Sequence, residues 1–338
     1  MYKQAAMNQS DIHPRLSPSV LALLALIAAA LLSTLVVSHV PSPSDDRLWG
    51  EIFNAGHAPL FGVVSVIFLL LSINLLHRRL NSRIKHYLLV AGVCLFLGVA
   101  TEIIQGFIGR DADVVDTLRD VAGFSAFLGI VATFDPWLTS PQLRNSEIRK
   151  TYIRSVGLLL LFVAATPILI SASAYYQRDR EFPVLCSFEL PKEQYFQETH
   201  SLQMEITDPP AAWTIMAGHK VAKLTFEPAD YPGVTFSEPY PDWTGYSRLS
   251  FGIFSPQNHP VDLYIRINDS HHNFELNDRF NSRLDVNPGA NSFSIPLDSV
   301  RLAPVGRQMD MKKIAQIILF AASPADTFSV YLGPLLLQ

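Results

Sequence analysis

Eight polar residues in an otherwise apolar first half have the types and spacing to do chemistry: His57, Glu102, Gln105, Arg110, Asp113, Asp116, Arg119 and Asp120. A histidine beside a carboxylate can divide the roles of general base and general acid. Arginine presents a fork of donors that suits a phosphate or a carboxylate. Glu102 and Gln105 lie three apart and share one helix face, while Asp113, Asp116, Asp120 and Gly123 recur at offsets 0, 3, 7 and 10, a single helical stripe. The chemistry such a set supports is hydrolysis or transfer on an anionic substrate, with His57 or Glu102 as base. In this reading His57, Glu102, Asp113 and Asp116 are the catalytic candidates, and Gln105, Arg110, Arg119 and Asp120 hold substrate. Imidazole with hard oxygen ligands would suit a divalent ion, but the spacing matches no recognised metal motif, so neither a metal nor another cofactor is expected.

Each residue also has a plainer role. His57 can sit at a polar–apolar boundary, Asp113 and Asp116 can answer a helix dipole, and Arg110 and Arg119 can simply pair with those aspartates. Glu102 is the hardest to explain away, because a carboxylate within an apolar span is costly to leave facing lipid.

The elements that must position these residues are long and greasy. Of 338 residues, 49% are hydrophobic and 17% charged, a balance too apolar for an ordinary soluble enzyme, and the apolar runs crowd into the first half. Five stretches approach the roughly 20 residues that cross a bilayer as a helix: Val20–Val40, Ala58–Leu76, Tyr87–Phe107, Val114–Phe134 and Ile153–Ala174. The first is longer than a signal-peptide core and lacks a small-x-small cleavage site, so it reads as a retained span.

Lysines and arginines place the loops, since short cytoplasmic loops retain them. The tail before residue 20 carries Lys3 and Arg15, "HRRLNSRIKH" carries four basic residues and no acid, and the link before the fifth span carries Arg144, Arg149 and Lys150. The intervening loops are acidic or balanced. The expected protein is thus a multi-pass protein of the cytoplasmic membrane, with a cytoplasmic tail (residues 1–19), a transmembrane domain (20–174) and an extracytoplasmic domain (175–338). In that topology His57, Glu102 and the Arg110–Asp120 cluster converge at the outer surface.

These residues resemble the VanZ-like membrane proteins. A histidine followed four residues later by an aromatic, His57 and Phe61, opens one span, and Glu102, Gln105, Phe107, Arg110, Asp113, Asp116, Asp120 and Gly123 reproduce a second spaced motif. The resemblance covers residues 20 to 135 and departs at Asp120, where the family usually has asparagine, and at Phe127, where a second glycine is common. It implies envelope biology: a pocket meeting a lipid-linked or phosphate-bearing envelope intermediate, in a family whose namesake is associated with teicoplanin resistance and whose molecular activity is poorly defined.

The second half alternates like a soluble β protein. In "VDLYIRIND", Val261, Leu263, Ile265 and Ile267 face one way, and Asp262, Tyr264 and Arg266 the other. Many short segments punctuated by Pro, Gly, Asn and Asp predict an antiparallel β-sandwich or jelly roll. From about Phe188 to Leu337 the order of segments resembles carbohydrate-binding modules, which implies aromatic stacking on sugar with polar neighbours. Trp213, Tyr240, Trp243 and Tyr246 are the aromatic candidates and Arg266 and Asp269 the polar ones, although "DWTGY" also reads as a packed corner. The expected fold class is a membrane all-α bundle of five transmembrane helices followed by an extracytoplasmic all-β sandwich. The expected partners are membrane lipids and a lipid-linked precursor or cell-wall glycan, without nucleic acid. Whether the helical half is an enzyme stays open, the alternative being a non-catalytic membrane-anchored glycan-binding, sensor or scaffold protein.

Overall fold

The computed structural model describes residues 46–107, 114–137 and 146–338. The first expected span, Val20–Val40, and the tail before it lie outside the described residues, as do Arg110 and Asp113. The chain divides into two compact units between Leu169 and Ile170.

The first unit is helical: α1 (Arg47–Leu76), α2 (Arg83–Phe107), α3 (Val114–Ala132) and most of α4 (Glu147–Glu181). Helix α1 begins well before the expected span at Ala58, because the Asp46 side chain caps it by accepting a hydrogen bond from the Trp49 N–H at 3.0 Å. The segment read as an acidic loop is therefore mostly helix and carries Glu51 on it. Helices α1, α2 and α4 are long and apolar enough to cross a membrane. Helix α3, with Asp116, Arg119 and Asp120 along its 19 residues, is not among them, so three of the four expected spans that fall on described residues are candidates.

Small residues let these helices close. A Cβ added to Gly123 on α3 would overlap the carbonyl of Ala58 on α1, and one added to Gly62 on α1 would overlap the ring of Phe127 on α3. Phe127 thus takes the place of a small residue on α3 while Gly62 supplies the small residue opposite. Phe61, Phe68, Leu69, Tyr87, Val90, Cys94, Leu97, Phe124 and Leu128 form the core between α1, α2 and α3. Away from His57, the Tyr87 hydroxyl donates to Asp135 at 3.2 Å and Arg83 pairs with the same carboxylate at 3.1 Å, tying the start of α2 to the residues following α3.

The second unit is an antiparallel sandwich of two sheets. One runs β1 (Val184–Cys186), β12 (Leu335–Leu337), β6 (Arg248–Ser255), β11 (Phe328–Leu332), β4 (Val221–Phe226) and β3 (Leu202–Thr207), with β9 (Gly289–Pro296) also paired to β6. The other runs β2 (Gln197–His200), β5 (Gly233–Ser237), β10 (Ile314–Phe320), β7 (Val261–Asp269) and β8 (Phe280–Val286). A short helix α5 (Leu297–Arg301) follows β9. The alternation read on β7 holds in three dimensions: Leu263, Ile265 and Ile267 are fully buried between the sheets with Leu249, Ile253, Ile317 and Leu332. Burying one face fixes the register, and leaves Tyr264 and Arg266 on the outer face of the five-stranded sheet.

Candidate functional site

Two candidate sites emerge, one in each unit, and each is built from the strand or helix faces just described.

In the helical unit, His57 near the middle of α1 meets Asp120 near the start of α3, with Nδ1 3.0 Å from the aspartate Oδ1. Asp120 is buried, and its second oxygen Oδ2 has no hydrogen-bond partner among the described residues. Room for that carboxylate comes from α2, where a Cβ on Gly98 would stand 2.9 Å from Asp120 Oδ2. Asp116 and Glu102 complete the charge neighbourhood of His57, and Glu102 is itself buried on α2. Arg119 pairs with Asp116 and stands 3.8 Å from Glu51. The structure therefore brings together His57, Glu102, Asp116, Arg119 and Asp120 from three helices, while Gln105 is half-buried one turn beyond Glu102 on α2. Glu51, not foreseen as a site residue, joins them because α1 starts early.

By sequence Asp120 reads as a substrate-holding residue. In the fold it faces His57 across the helix interface. A carboxylate on Nδ1 orients the imidazole and leaves Nε2 for other work, the geometry used wherever a histidine must act as a base. Among the described residues no group of three His, Cys, Asp or Glu is placed to hold a metal ion.

In the sandwich most of the expected sugar platform is core. Trp213 is 2% exposed: its indole lies on the outside of the seven-stranded sheet over Gly252 and Gly333, where added Cβ atoms would come within 2.9 and 3.2 Å, and it packs against Phe254 and Met216. Trp243 is 1% exposed, and its Nε1 donates to the Tyr240 carbonyl at 2.8 Å. Tyr240 stacks on Phe182 at 4.0 Å between centroids and Tyr246 meets the same ring edge-on at 5.2 Å, so "DWTGY" is a packed corner. Asp269 is also withdrawn from any ligand. Its buried carboxylate takes Arg307 at 2.6 and 2.8 Å and the Asp310 N–H at 2.7 Å. Trp213, Trp243 and Asp269 are thus buried, and Tyr240 and Tyr246 are half-buried against Phe182.

Trp213 borders one groove, on the seven-stranded sheet, and Arg266 lines another. That groove runs over the outer face of the five-stranded sheet and is lined by Tyr231, Tyr264, Arg266, Leu276, Arg279, Asn281, Ile318, Phe320 and Ala322. Register explains the grouping: Phe320 on β10 sits opposite Tyr264 on β7, and in the next outward row Ile318, Arg266 and Asn281 lie side by side across β10, β7 and β8. The Tyr264 and Phe320 rings stack with centroids 5.5 Å apart, and Tyr231, 63% exposed, meets Phe320 edge-on at 6.0 Å. Sequence reasoning missed these aromatics although the signal was present: Tyr264 occupies the polar phase of the most regular strand, and Phe320 the matching phase of "AQIILFA". Aromatic faces with adjacent donors and acceptors are the equipment of a sugar-binding surface.

The sandwich is similar to solved carbohydrate-binding modules and to an agarase. They include a family 11 carbohydrate-binding module from Clostridium thermocellum in complex with a β-1,3-1,4-mixed-linked tetrasaccharide, at TM-score 0.37 and 15% identity over 46% of this chain and 93% of that one. An exo-β-agarase is similar at TM-score 0.38 and 19% identity over 46% of this chain and 25% of that one. A family 22 xylan-binding domain from Paenibacillus barcinonensis is similar at TM-score 0.32 and 12% identity, over 46% of this chain and 94% of that one. At such scores the likeness transfers no ligand. No family model and no curated protein matches the chain, so the VanZ-like resemblance rests on its spaced motif alone.

Proposed function

We propose that this is a membrane-anchored glycan-binding protein, whose sandwich holds a saccharide along the groove of its five-stranded sheet. The observation that carries this reading is the stacked Tyr264–Phe320 pair, with Tyr231 beside it and Arg266, Arg279 and Asn281 along the same face. Three helices of bilayer length support the anchor, and the basic residues of alternate loops support a sandwich outside the cytoplasmic membrane. Full-length protein in lipid nanodiscs is expected to bind on a glycan array. Tyr264→Ala should weaken that binding about tenfold or more, as loss of a central aromatic anchor does, whereas Trp243→Phe should leave it unchanged. Equal binding by wild type and Tyr264→Ala would overturn the groove assignment.

The His57–Asp120 pair favours a second reading for the helical unit. In it, a VanZ-like pocket binds or acts on a lipid-linked or phosphate-bearing envelope intermediate, with a link to teicoplanin-type resistance such as the family's namesake has. Asp120 orients His57, His57 or Glu102 moves the proton, and Arg119 with Arg110 holds the anion. In nanodiscs with labelled lipid-linked precursors, wild type is expected to yield a product detectable by mass spectrometry. Glu102→Gln and His57→Ala are each expected to slow its formation at least a hundredfold, the scale of a lost general acid or base. Labelled lipid retained by wild type but lost from both variants, without conversion, would leave the pocket a binding site, whereas equal retention by all three, or none by any, would remove it.

A further inference from the structure

The charges around the groove are unevenly matched. Arg283 on β8 takes two carboxylates, Asp262 at 2.7 Å and Asp285 at 2.9 Å. Arg307 likewise takes two, Asp269 at 2.6 Å and Asp278. These four acids belong to β7, β8 and the loop joining them, and all are committed to arginines outside the groove. The two arginines that line it are left without an acid: among the described residues neither Arg266 nor Arg279 forms an ion pair. Arg266 Nε donates to the neutral Asn268 Oδ1 at 3.2 Å, and Arg279 Nε is buried with no hydrogen-bond partner among the described residues.

Such a pair is unfavourable as it stands. Burial holds the Arg266 guanidinium below the usual arginine range, and the neighbouring Arg279 charge lowers it further. A guanidinium without a counter-charge also costs free energy that an anion against its accessible nitrogens would recover. An anion between the two guanidiniums answers both problems, with the bidentate geometry that arginine offers a carboxylate. The anion row also has a fixed relation to the stacking row. Arg266 and Tyr264 are alternate residues on one strand face, about 6–7 Å apart along the strand. A sugar ring lying on Tyr264 and Phe320 therefore brings its own substituent, or that of the adjoining sugar, to the arginines.

We propose that the groove selects an acidic glycan, with Arg266 and Arg279 gripping the carboxylate of a uronic acid residue whose ring stacks on Tyr264 and Phe320. This rests on the glycan-binding reading and deepens it by naming the sugar class. Aromatic rings beside arginines also suit single-stranded nucleic acid, but Asn281 on the same face adds the donor and acceptor that sugar hydroxyls use, and nucleic acid becomes an arm of the test.

The test uses full-length protein in nanodiscs and paired glycans: several uronate-containing oligosaccharides, each beside its carboxyl-reduced form, which keeps the ring and linkage and removes the charge. Oligothymidylate and inorganic phosphate complete the panel. Wild type is expected to prefer at least one acidic glycan over its reduced partner by about tenfold or more, the scale of a hydrogen bond to a charged group. Arg266→Gln and Arg279→Gln should each erase most of that preference while retaining the weaker neutral binding, and Arg266→Lys should restore part of it. Equal binding of acidic and reduced partners would overturn the acidic selectivity and leave glycan binding intact. Binding of no glycan would overturn both readings. Tighter binding of oligothymidylate, or phosphate displacing the acidic glycan at equal concentration, would overturn the uronate assignment.

Discussion

Arg307→Ala is expected to destabilise the sandwich by about 3–5 kcal/mol, the cost of removing one partner from a buried ion pair. Asp269, with its side chain wholly buried, would be left with the Asp310 N–H as its remaining hydrogen bond across the fold. The same cluster sets an acid limit. For Asp278, the Arg307 guanidinium and then the Asn273 N–H hold the carboxyl at about 2, below the ordinary aspartate value of 3.8. For Asp269, burial would raise the value, but Arg307 and the Asp310 N–H outweigh it and the net displacement is downward. A carboxyl with a lower pKa folded than unfolded contributes stability above the unfolded value and loses it as pH falls through the folded one. The cluster's contribution should therefore be complete above about pH 4 and decline toward pH 2. Thermal melts of the full chain in nanodiscs, with hydrogen exchange read on β7 and β8, check both points. Unchanged protection of these strands in Arg307→Ala, or equal acid sensitivity of wild type and variant, would refute the assignment.

Gly123→Leu is expected to have the largest effect in the helical unit. A Cβ at Gly123 meets backbone, the Ala58 carbonyl, which cannot rotate away as a side chain would. Overpacking against flexible neighbours costs 1–3 kcal/mol, and a rigid obstacle places this variant at or above the upper end, about 3 kcal/mol. Parting α1 from α3 would also draw His57 from Asp120, so loss of any activity or ligand of the pocket should accompany the loss of stability. Gly129→Ala is the internal control on the same helix, because its added Cβ makes an ordinary contact with Ile153 at 3.6 Å. Hydrogen exchange of α1 and α3 should rise in Gly123→Leu and stay near wild type in Gly129→Ala. Equal exchange in both variants would show that the close approach contributes nothing.

Amino-acid order alone determined the division into a greasy helical half and an alternating β half, because both signals are local: long uncharged runs in one, period-2 polarity in the other. It likewise determined which of β7's faces is buried, and it grouped His57, Glu102, Asp116, Arg119 and Asp120 on three helices. Only tertiary structure decided that Asp120 turns to His57, since pairing across a helix interface depends on which residues are small, here Gly98 and Gly123. The early start of α1, and with it Glu51 beside Arg119, followed from a side-chain cap at Asp46 rather than from hydropathy. In the sandwich the conspicuous tryptophans Trp213 and Trp243 are both buried. Large aromatics serve cores and binding faces equally well, and glycines at 252 and 333, distant in sequence, are what seat Trp213 against a sheet. The groove itself needed the strand order β10–β7–β8, which brings Phe320, Tyr264, Arg266 and Asn281 onto one surface from three segments that no sequence spacing connects.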